Sequence, residues 1–137
     1  VRELVPARPG PGRILVVDDD ERVLSVACAL IANRGWTVER ASRAEDALHR
    51  ARAGALDVVL LDLTMPGMNG LELMGRLRAE HPDLPVVLMS GYSERETVRG
   101  EVVADGFVQK PFTGEQLFEV LHRARSRVPA ERHQGTS

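Results

Sequence analysis

A chain of 137 residues can form one domain with a buried core and is too short for two. Its hydrophobic fraction of 43% and charged fraction of 28% are typical of soluble globular proteins, which excludes disordered and collagen-like chains. The formal net charge of −2 provides no electrostatic basis for binding nucleic acid or an anionic membrane, so we expect neither as a partner. No apolar run approaches the ~20 residues of a membrane span, and we expect a cytoplasmic protein without a signal peptide.

The composition divides the chain into three parts. Residues 1–12 contain three prolines and two glycines without hydrophobic periodicity, which predicts a linker. Alternating strand and helix patterns fill residues 13–127 and predict the domain, and residues 128–137 form a polar tail that we expect to be flexible. Because the chain starts at Val1 rather than Met, we expect a module attached to something larger.

The first half of the domain opens with an apolar strand from Ile14 to Val17 that runs into three aspartates. The third of these, Asp20, is expected to cap a helix that ends near Gly35. The apolar residues predicted on one face of this helix are Val23, Val26, Ala27, Leu30 and Ile31. Cys28, the only cysteine, lies in the same pattern and is predicted to pack in the core rather than to react.

The next elements surround the most apolar strand of the chain. Thr37–Ala41 alternates apolar and polar residues, as an edge strand does, and Ser42 with Glu45 forms a capping-box pattern at the start of a second helix. The strand that follows, Val58–Leu61, ends on Asp62 and precedes a turn rich in proline, glycine and asparagine.

The second half of the chain continues the alternation of helices and strands. The predicted elements are a helix from Gly70 to Glu80, a strand from Val86 to Met89 ending on Ser90, a helix opened by Ser93, a strand from Phe107 to Gln109 followed by Lys110, and a helix capped by Thr113 and Gln116. Five strands that alternate with helices predict an α/β fold with a doubly wound, five-stranded parallel sheet. The strand order 2-1-3-4-5 fits best, because it puts the alternating strand at an edge and brings Asp18 beside Asp62.

Polar residues then meet at the carboxyl edge of the sheet. Asp18, Asp19 and Asp62 would lie within a few ångströms of each other, and carboxylates at ~4 Å repel by ~1 kcal/mol in water and ~4 kcal/mol inside a protein site. A hard divalent cation compensates this repulsion, and an oxygen-only site of this kind favours Mg²⁺. Lys110 and the Ser90 hydroxyl follow the neighbouring strands and can contact phosphoryl oxygens.

Four motifs, VVDDDE, LLDLTMPGMNG, MSGYSE and FVQKPF, resemble those of receiver domains in two-component response regulators and hybrid histidine kinases, which have a flavodoxin-like fold. The resemblance implies that Asp62 accepts a phosphoryl group from the phosphohistidine of a histidine kinase or a histidine phosphotransfer domain. It implies that Mg²⁺ binds Asp19, Asp62 and the backbone carbonyl of Thr64, with Asp18 acting indirectly.

The same resemblance assigns the remaining residues. Ser90 and Phe107 match the switch hydroxyl and switch aromatic, and Lys110 matches the phosphate-contacting lysine, whose bond to Pro111 is expected to be cis. Thr64 and Tyr92 match the positions that tune dephosphorylation, and a bulky Tyr92 implies slow loss of the phosphoryl group. The resemblance implies that the domain itself is a phosphoacceptor with self-phosphotransfer and autodephosphorylation activity, in a parent chain that a hybrid origin would make a sensor histidine kinase. The face that switches is a candidate surface for a homodimer.

Several alternatives stay open at this point. The proline- and glycine-rich lead and the Ser90–Tyr92 turn favour the receiver of a hybrid histidine kinase over a stand-alone single-domain regulator. A haloacid-dehalogenase-like phosphatase would need a second Asp at the position of Thr64, and a dinucleotide-binding module would need a glycine-rich turn where Asp18–Asp20 stand. A pseudo-receiver that serves only as a docking surface is the third alternative.

Overall fold

The structure, a computed structural model, describes residues 11–63, 70–90 and 104–126. These parts of the chain form five strands and four helices. The strands are β1 (Arg13–Val17), β2 (Thr37–Ala41), β3 (Val58–Asp62), β4 (Val86–Ser90) and β5 (Gly106–Gln109). The helices are α1 (Glu21–Asn33), α2 (Ala44–Ala53), α3 (Gly70–Glu80) and α4 (Gly114–Ser126).

All five strands belong to one parallel sheet in the order β2-β1-β3-β4-β5, which confirms the predicted topology. β3 and β4 are buried along their whole length, because helices cover both faces of the sheet. β2 has partly exposed residues, as predicted for an edge strand. The switch point of the order lies between β1 and β3, so the residues after these two strands share one crevice.

Two hydrophobic clusters hold the sheet between the helices. On one face the strands pack with α2 and α3 around Leu48, Leu73 and Leu77, and on the other with α1 and α4 around Ile31 and Leu117. Full burial of one Val, Leu or Ile side chain stabilises the fold by roughly 1.5–3 kcal/mol. This double core fixes the strands firmly enough to hold polar groups at their carboxyl ends.

Helix α1 buries Ala27 and Ile31 as predicted, but the buried face is rotated away from Val26. Its buried residues are Leu24, Ala27, Cys28 and Ile31, which follow the i, i+3, i+4, i+7 spacing, whereas Val26 is 58% exposed. The prediction for Val26 was wrong because the helix carries more apolar residues than one face can bury. Cys28 packs in the core as expected, and the helix ends before Gly35, whose φ of 96° suits glycine.

The two predicted capping boxes that lie in the described residues have different outcomes. Helix α4 has the predicted box, in which Thr113 N–H donates to Gln116 Oε1 at 2.9 Å and Gln116 N–H donates to Thr113 Oγ1 at 3.1 Å. Helix α2 lacks the box predicted for Ser42. Its N-cap is Arg43, whose carbonyl accepts the Ala47 N–H at 3.0 Å, so Ser42 precedes the capping position by one residue.

Some predictions fall outside the described residues. They concern residues 1–10 of the linker, the tail 128–137 and the helix opened by Ser93. Within the described parts of the chain, every helix is too short or too polar to cross a membrane.

Candidate functional site

Three aspartates meet at the carboxyl edge of the two central strands. Asp18 follows β1, Asp62 is the last residue of β3, and the two strands are paired in the sheet. One carboxylate oxygen from each of Asp18, Asp19 and Asp62 lies within 4.8 Å of the others. Asp18 and Asp62 are buried, at 0% and 5% exposure, whereas Asp19 is exposed. The structure therefore brings together the three carboxylates that the sequence places at these strand ends.

The loop after β1 is held by hydrogen bonds from its own backbone. Asp18 N–H donates to the carbonyl of Ala41 at 3.2 Å, which ties the loop to β2. Asp20 N–H donates to Asp18 Oδ1 at 2.8 Å. The Asp20 carboxylate accepts N–H groups of the first turn of α1, as predicted for a helix cap.

Lys110 lies between two of the aspartates. Its backbone N–H donates to the Ser90 carbonyl at 2.9 Å, which extends the pairing of β4 and β5 by one residue, and its peptide bond to Pro111 is cis, as expected. Its Nζ atom is 2.9 Å from Asp18 Oδ2 and 3.2 Å from Asp62 Oδ1. Burial lowers the pKa of Lys110, but the two carboxylates outweigh burial and raise it above its ordinary value.

Ser90 and Phe107 lie on the neighbouring strands. Ser90 is fully buried at the end of β4, and its hydroxyl has no hydrogen-bond partner among the described residues. Phe107 is half-buried on β5 and packs against the cluster formed with α2 and α3. Thr64 and Tyr92 lie outside the described residues.

Gly70 anchors the chain where it returns from the site. Its N–H donates to the Leu63 carbonyl at 2.6 Å, and a Cβ at this position would lie 2.3 Å from the Asp62 carbonyl oxygen. Only glycine therefore lets α3 begin so close to the end of β3. This close approach fixes the backbone on which Asp62 stands.

The site has an excess of negative charge. Among the described residues Lys110 compensates one of the three carboxylates, and the buried pair Asp18 and Asp62 repels by about 3.5 kcal/mol at a separation of 4.8 Å and the effective dielectric constant of a protein site. The donor atoms are all oxygens, which is the ligand set of hard divalent cations. The cluster can therefore hold such a cation.

Sequence reasoning missed two contacts in this site. It did not predict that Lys110 pairs with Asp18 as well as facing Asp62, since strand ends do not reveal how far a lysine reaches. It assigned Asp20 only to the helix cap and not to the hydrogen bond with Asp18. The run of three aspartates was the available signal for the second contact.

Known proteins are similar to this chain in sequence. The sequence profile of the family described as the response regulator receiver domain matches residues 14–122. The nitrogen assimilation regulatory protein NtrX of Azorhizobium caulinodans is 31% identical over 115 residues, which cover 81% of this chain and 25% of that protein. The sensor kinase CckA of Brucella abortus is 35% identical over 113 residues, which cover 79% of this chain and 12% of that protein. The chain thus spans a quarter or less of the length of these two relatives.

A solved structure agrees with the sequence matches. The response regulator TrrA of Thermotoga maritima superimposes with a TM-score of 0.76 at 32% identity, covering 83% of this chain and 99% of that one. The five parallel strands in the order 2-1-3-4-5 are the receiver fold. The chain therefore belongs to the response regulator receiver domain family.

Proposed function

We propose that this domain accepts a phosphoryl group on the carboxylate of Asp62. The observation that carries the proposal is the setting of this side chain, which is 5% exposed at the end of a buried strand, beside Asp18 and Asp19 and 3.2 Å from the Lys110 ammonium. A nucleophile in this position is shielded from bulk water and faces a positive charge. These are the two conditions that transfer of a highly charged phosphoryl group requires.

The phosphoryl donor is proposed to be a phosphohistidine of a histidine kinase or a histidine phosphotransfer domain. An Asp62 oxygen attacks phosphorus, the P–N bond breaks, and its electron pair returns to the imidazole nitrogen, which takes up a proton. Later hydrolysis adds water to phosphorus, releases inorganic phosphate and restores the carboxylate. These two steps are the self-phosphotransfer and autodephosphorylation activities expected of the domain.

Mg²⁺ fits the acidic cluster on chemical grounds. We propose that Asp19, Asp62 and the backbone carbonyl of Thr64 hold the ion, and that it neutralises charge between the carboxylate and the incoming phosphoryl group. Asp18 acts indirectly, because Asp20 N–H engages its Oδ1 and Lys110 lies against its Oδ2. The TrrA structure is a complex with Mg²⁺ and BeF, so a relative of this chain binds the metal that we propose here.

Two further side chains are suited to bind the transferred phosphoryl group. Lys110 has a charged Nζ at the site, and we propose that it contacts a phosphoryl oxygen after transfer. Ser90 has a buried hydroxyl without a partner among the described residues, so we propose that it donates to a second phosphoryl oxygen. Movement of Ser90 would open space for Phe107 to turn inward, which is the proposed switch.

Phosphorylation with a small-molecule donor tests this function. Incubation with Mg²⁺ and acetyl phosphate should give one phosphoryl group per chain on a Phos-tag gel, and the product should disappear in alkali, as acyl phosphates do. The isosteric variant Asp62→Asn should remain unphosphorylated while keeping its fold by circular dichroism. Phosphorylation of the Asp62→Asn protein would show that another residue is the acceptor, and a wild-type chain that stays unmodified would favour the pseudo-receiver or phosphatase alternatives.

The rate of dephosphorylation is a separate proposal. Thr64 and Tyr92 are proposed to tune it, and a bulky Tyr92 should screen the phosphoaspartate from water. The decay of the phosphorylated protein should therefore accelerate in Tyr92→Ala. An unchanged decay rate in this variant would remove the role of Tyr92 without affecting that of Asp62.

The parent protein of this domain is also proposed rather than established. A hybrid histidine kinase is favoured by the proline- and glycine-rich lead and agrees with the similarity to CckA, which is named a sensor kinase. Similarity to NtrX, a regulatory protein of which the match covers 25%, does not decide between this origin and a stand-alone single-domain regulator. A cytoplasmic location, a homodimer, and the absence of nucleic-acid and membrane contacts stay predictions.

A further inference from the structure

Asp20 connects helix α1 to the acidic cluster. Its side chain bonds the helix, and its backbone N–H bonds the cluster. Its side-chain Oδ1 accepts the N–H groups of Arg22 at 2.9 Å and Val23 at 3.4 Å, the first residues of the helix after Glu21. Its backbone N–H points the other way and donates to Asp18 Oδ1 at 2.8 Å. The side chain therefore fixes the residue against the helix, while the amide reaches into the site.

The amide of Asp20 is one of two groups that fix the orientation of Asp18. The Asp18 carboxylate is fully buried, and its second oxygen, Oδ2, lies 2.9 Å from Lys110 Nζ. The hydrogen bond at Oδ1 and the ammonium ion against Oδ2 together restrict the rotation of this carboxylate. If the amide hydrogen bond is lost, Asp18 can rotate about its side-chain bonds, and the position of Lys110 between Asp18 and Asp62 changes with it.

We propose that Asp20 is a positioning residue for the metal-binding cluster, acting through its cap on α1. The cap fixes the direction of its own peptide N–H, the N–H orients Asp18, and Asp18 holds Lys110 in place. This inference rests on the proposed function, since it assumes that the cluster binds Mg²⁺. It makes the side chain of Asp20 important for the site although that side chain faces the helix.

Two substitutions of Asp20 distinguish the effect of losing the helix cap from the effect of losing the negative charge. Asp20→Ala removes both, whereas Asp20→Asn removes the negative charge and keeps a capping oxygen. Thr113→Ala is the matched control, because it removes the cap of α4, which has 13 residues as α1 does. The hydroxyl of Thr113 accepts the Gln116 N–H and does not contact the acidic cluster. Mg²⁺ affinity is measured by calorimetry, stability by the urea midpoint, and the residue-20 amide by hydrogen-exchange protection.

The expected results distinguish positioning from simple capping. Asp20→Ala should bind Mg²⁺ about tenfold more weakly than the wild type. This factor is at the lower end of the loss in metal affinity that follows when a group that orients the metal site by hydrogen bonding is removed. Asp20→Asn should bind at least about threefold more tightly than Asp20→Ala and should keep protection of the amide. Thr113→Ala should lower the urea midpoint and leave the affinity unchanged.

Other outcomes overturn the inference. Equal affinities of Asp20→Ala and the wild type, with a lowered urea midpoint, would leave Asp20 as a cap alone. Equal weakening in Asp20→Ala and Asp20→Asn would assign the effect to charge rather than to the cap. In both cases wild-type binding of Mg²⁺ and phosphorylation of Asp62 would still hold, whereas a wild-type chain that binds no Mg²⁺ would overturn the proposed function as well.

Discussion

Neutralising Asp19 should stabilise the metal-free protein. Its carboxylate lies within 4.8 Å of those of Asp18 and Asp62, and no basic side chain among the described residues forms an ion pair with it. Because Asp19 is exposed, the dielectric constant of water applies, and each of the two repulsions is then worth about 0.9 kcal/mol. The isosteric variant Asp19→Asn should therefore raise the free energy of unfolding by about 1–2 kcal/mol when no metal is bound.

Mg²⁺ should reverse the sign of this effect. An ion that binds only the folded state stabilises it by about 2.7 kcal/mol at a concentration of one hundred times its Kd. Asp19→Asn has lost a proposed ligand and should gain much less. The variant should thus be more stable than the wild type in EDTA and less stable in saturating Mg²⁺, which urea unfolding followed by circular dichroism measures directly.

A control at the other end of the sheet identifies the cause. Asp83 is an exposed carboxylate that precedes β4, so Asp83→Asn makes the same chemical change far from the cluster. This variant should respond to Mg²⁺ as the wild type does, and added salt should weaken the stabilising effect of Asp19→Asn in EDTA. Destabilisation by Asp19→Asn in EDTA, or an undiminished response of this variant to Mg²⁺, would refute the reasoning.

Three other measurements test the electrostatics and the core. Lys110→Met should destabilise the metal-free protein by about 2 kcal/mol in urea unfolding, since it leaves two buried carboxylates without this cation, and an unchanged stability would contradict the pairing. Asp105→Ala should cost about 2–4 kcal/mol in the same assay, because the buried carboxylate accepts the Val86 N–H at 2.7 Å and pairs with Arg78 at 3.0 Å, and Asp105→Asn should cost less. Burial raises the pKa of the Cys28 thiol, so iodoacetamide at pH 8 should alkylate the folded protein at least about tenfold more slowly than the urea-unfolded chain; equal rates would show an accessible thiol.

The sequence predicted the sheet and its functional edge because both depend on short-range signals. Apolar strands such as Val58–Leu61 are visible as continuous runs, and the polar residues that terminate them mark the carboxyl edge. Once the strand order is set by the crossover rules, Asp18 and Asp62 must lie side by side. Helix caps with a clear geometric requirement, such as Thr113 with Gln116, were predicted for the same reason.

What the sequence missed depends on tertiary packing. Val26 matches the helical pattern of α1 as well as Cys28 does, and only contact with the sheet decides which of the two is buried. The start of α2 lies one residue later than predicted, and the sequence pattern alone does not decide whether Ser42 or Arg43 is the N-cap. The contact of Lys110 with Asp18 depends on a flexible side chain, whose reach no motif encodes.

The central claim concerns where a phosphoryl group is held, and a crystal structure of this chain with Mg²⁺ and beryllofluoride tests it most directly. We expect the beryllofluoride on an Asp62 oxygen, Mg²⁺ bound by Asp19 and Asp62, and contacts from Lys110 and Ser90 to fluorine atoms. Beryllofluoride on another side chain, or Mg²⁺ bound away from these aspartates, would contradict the claim.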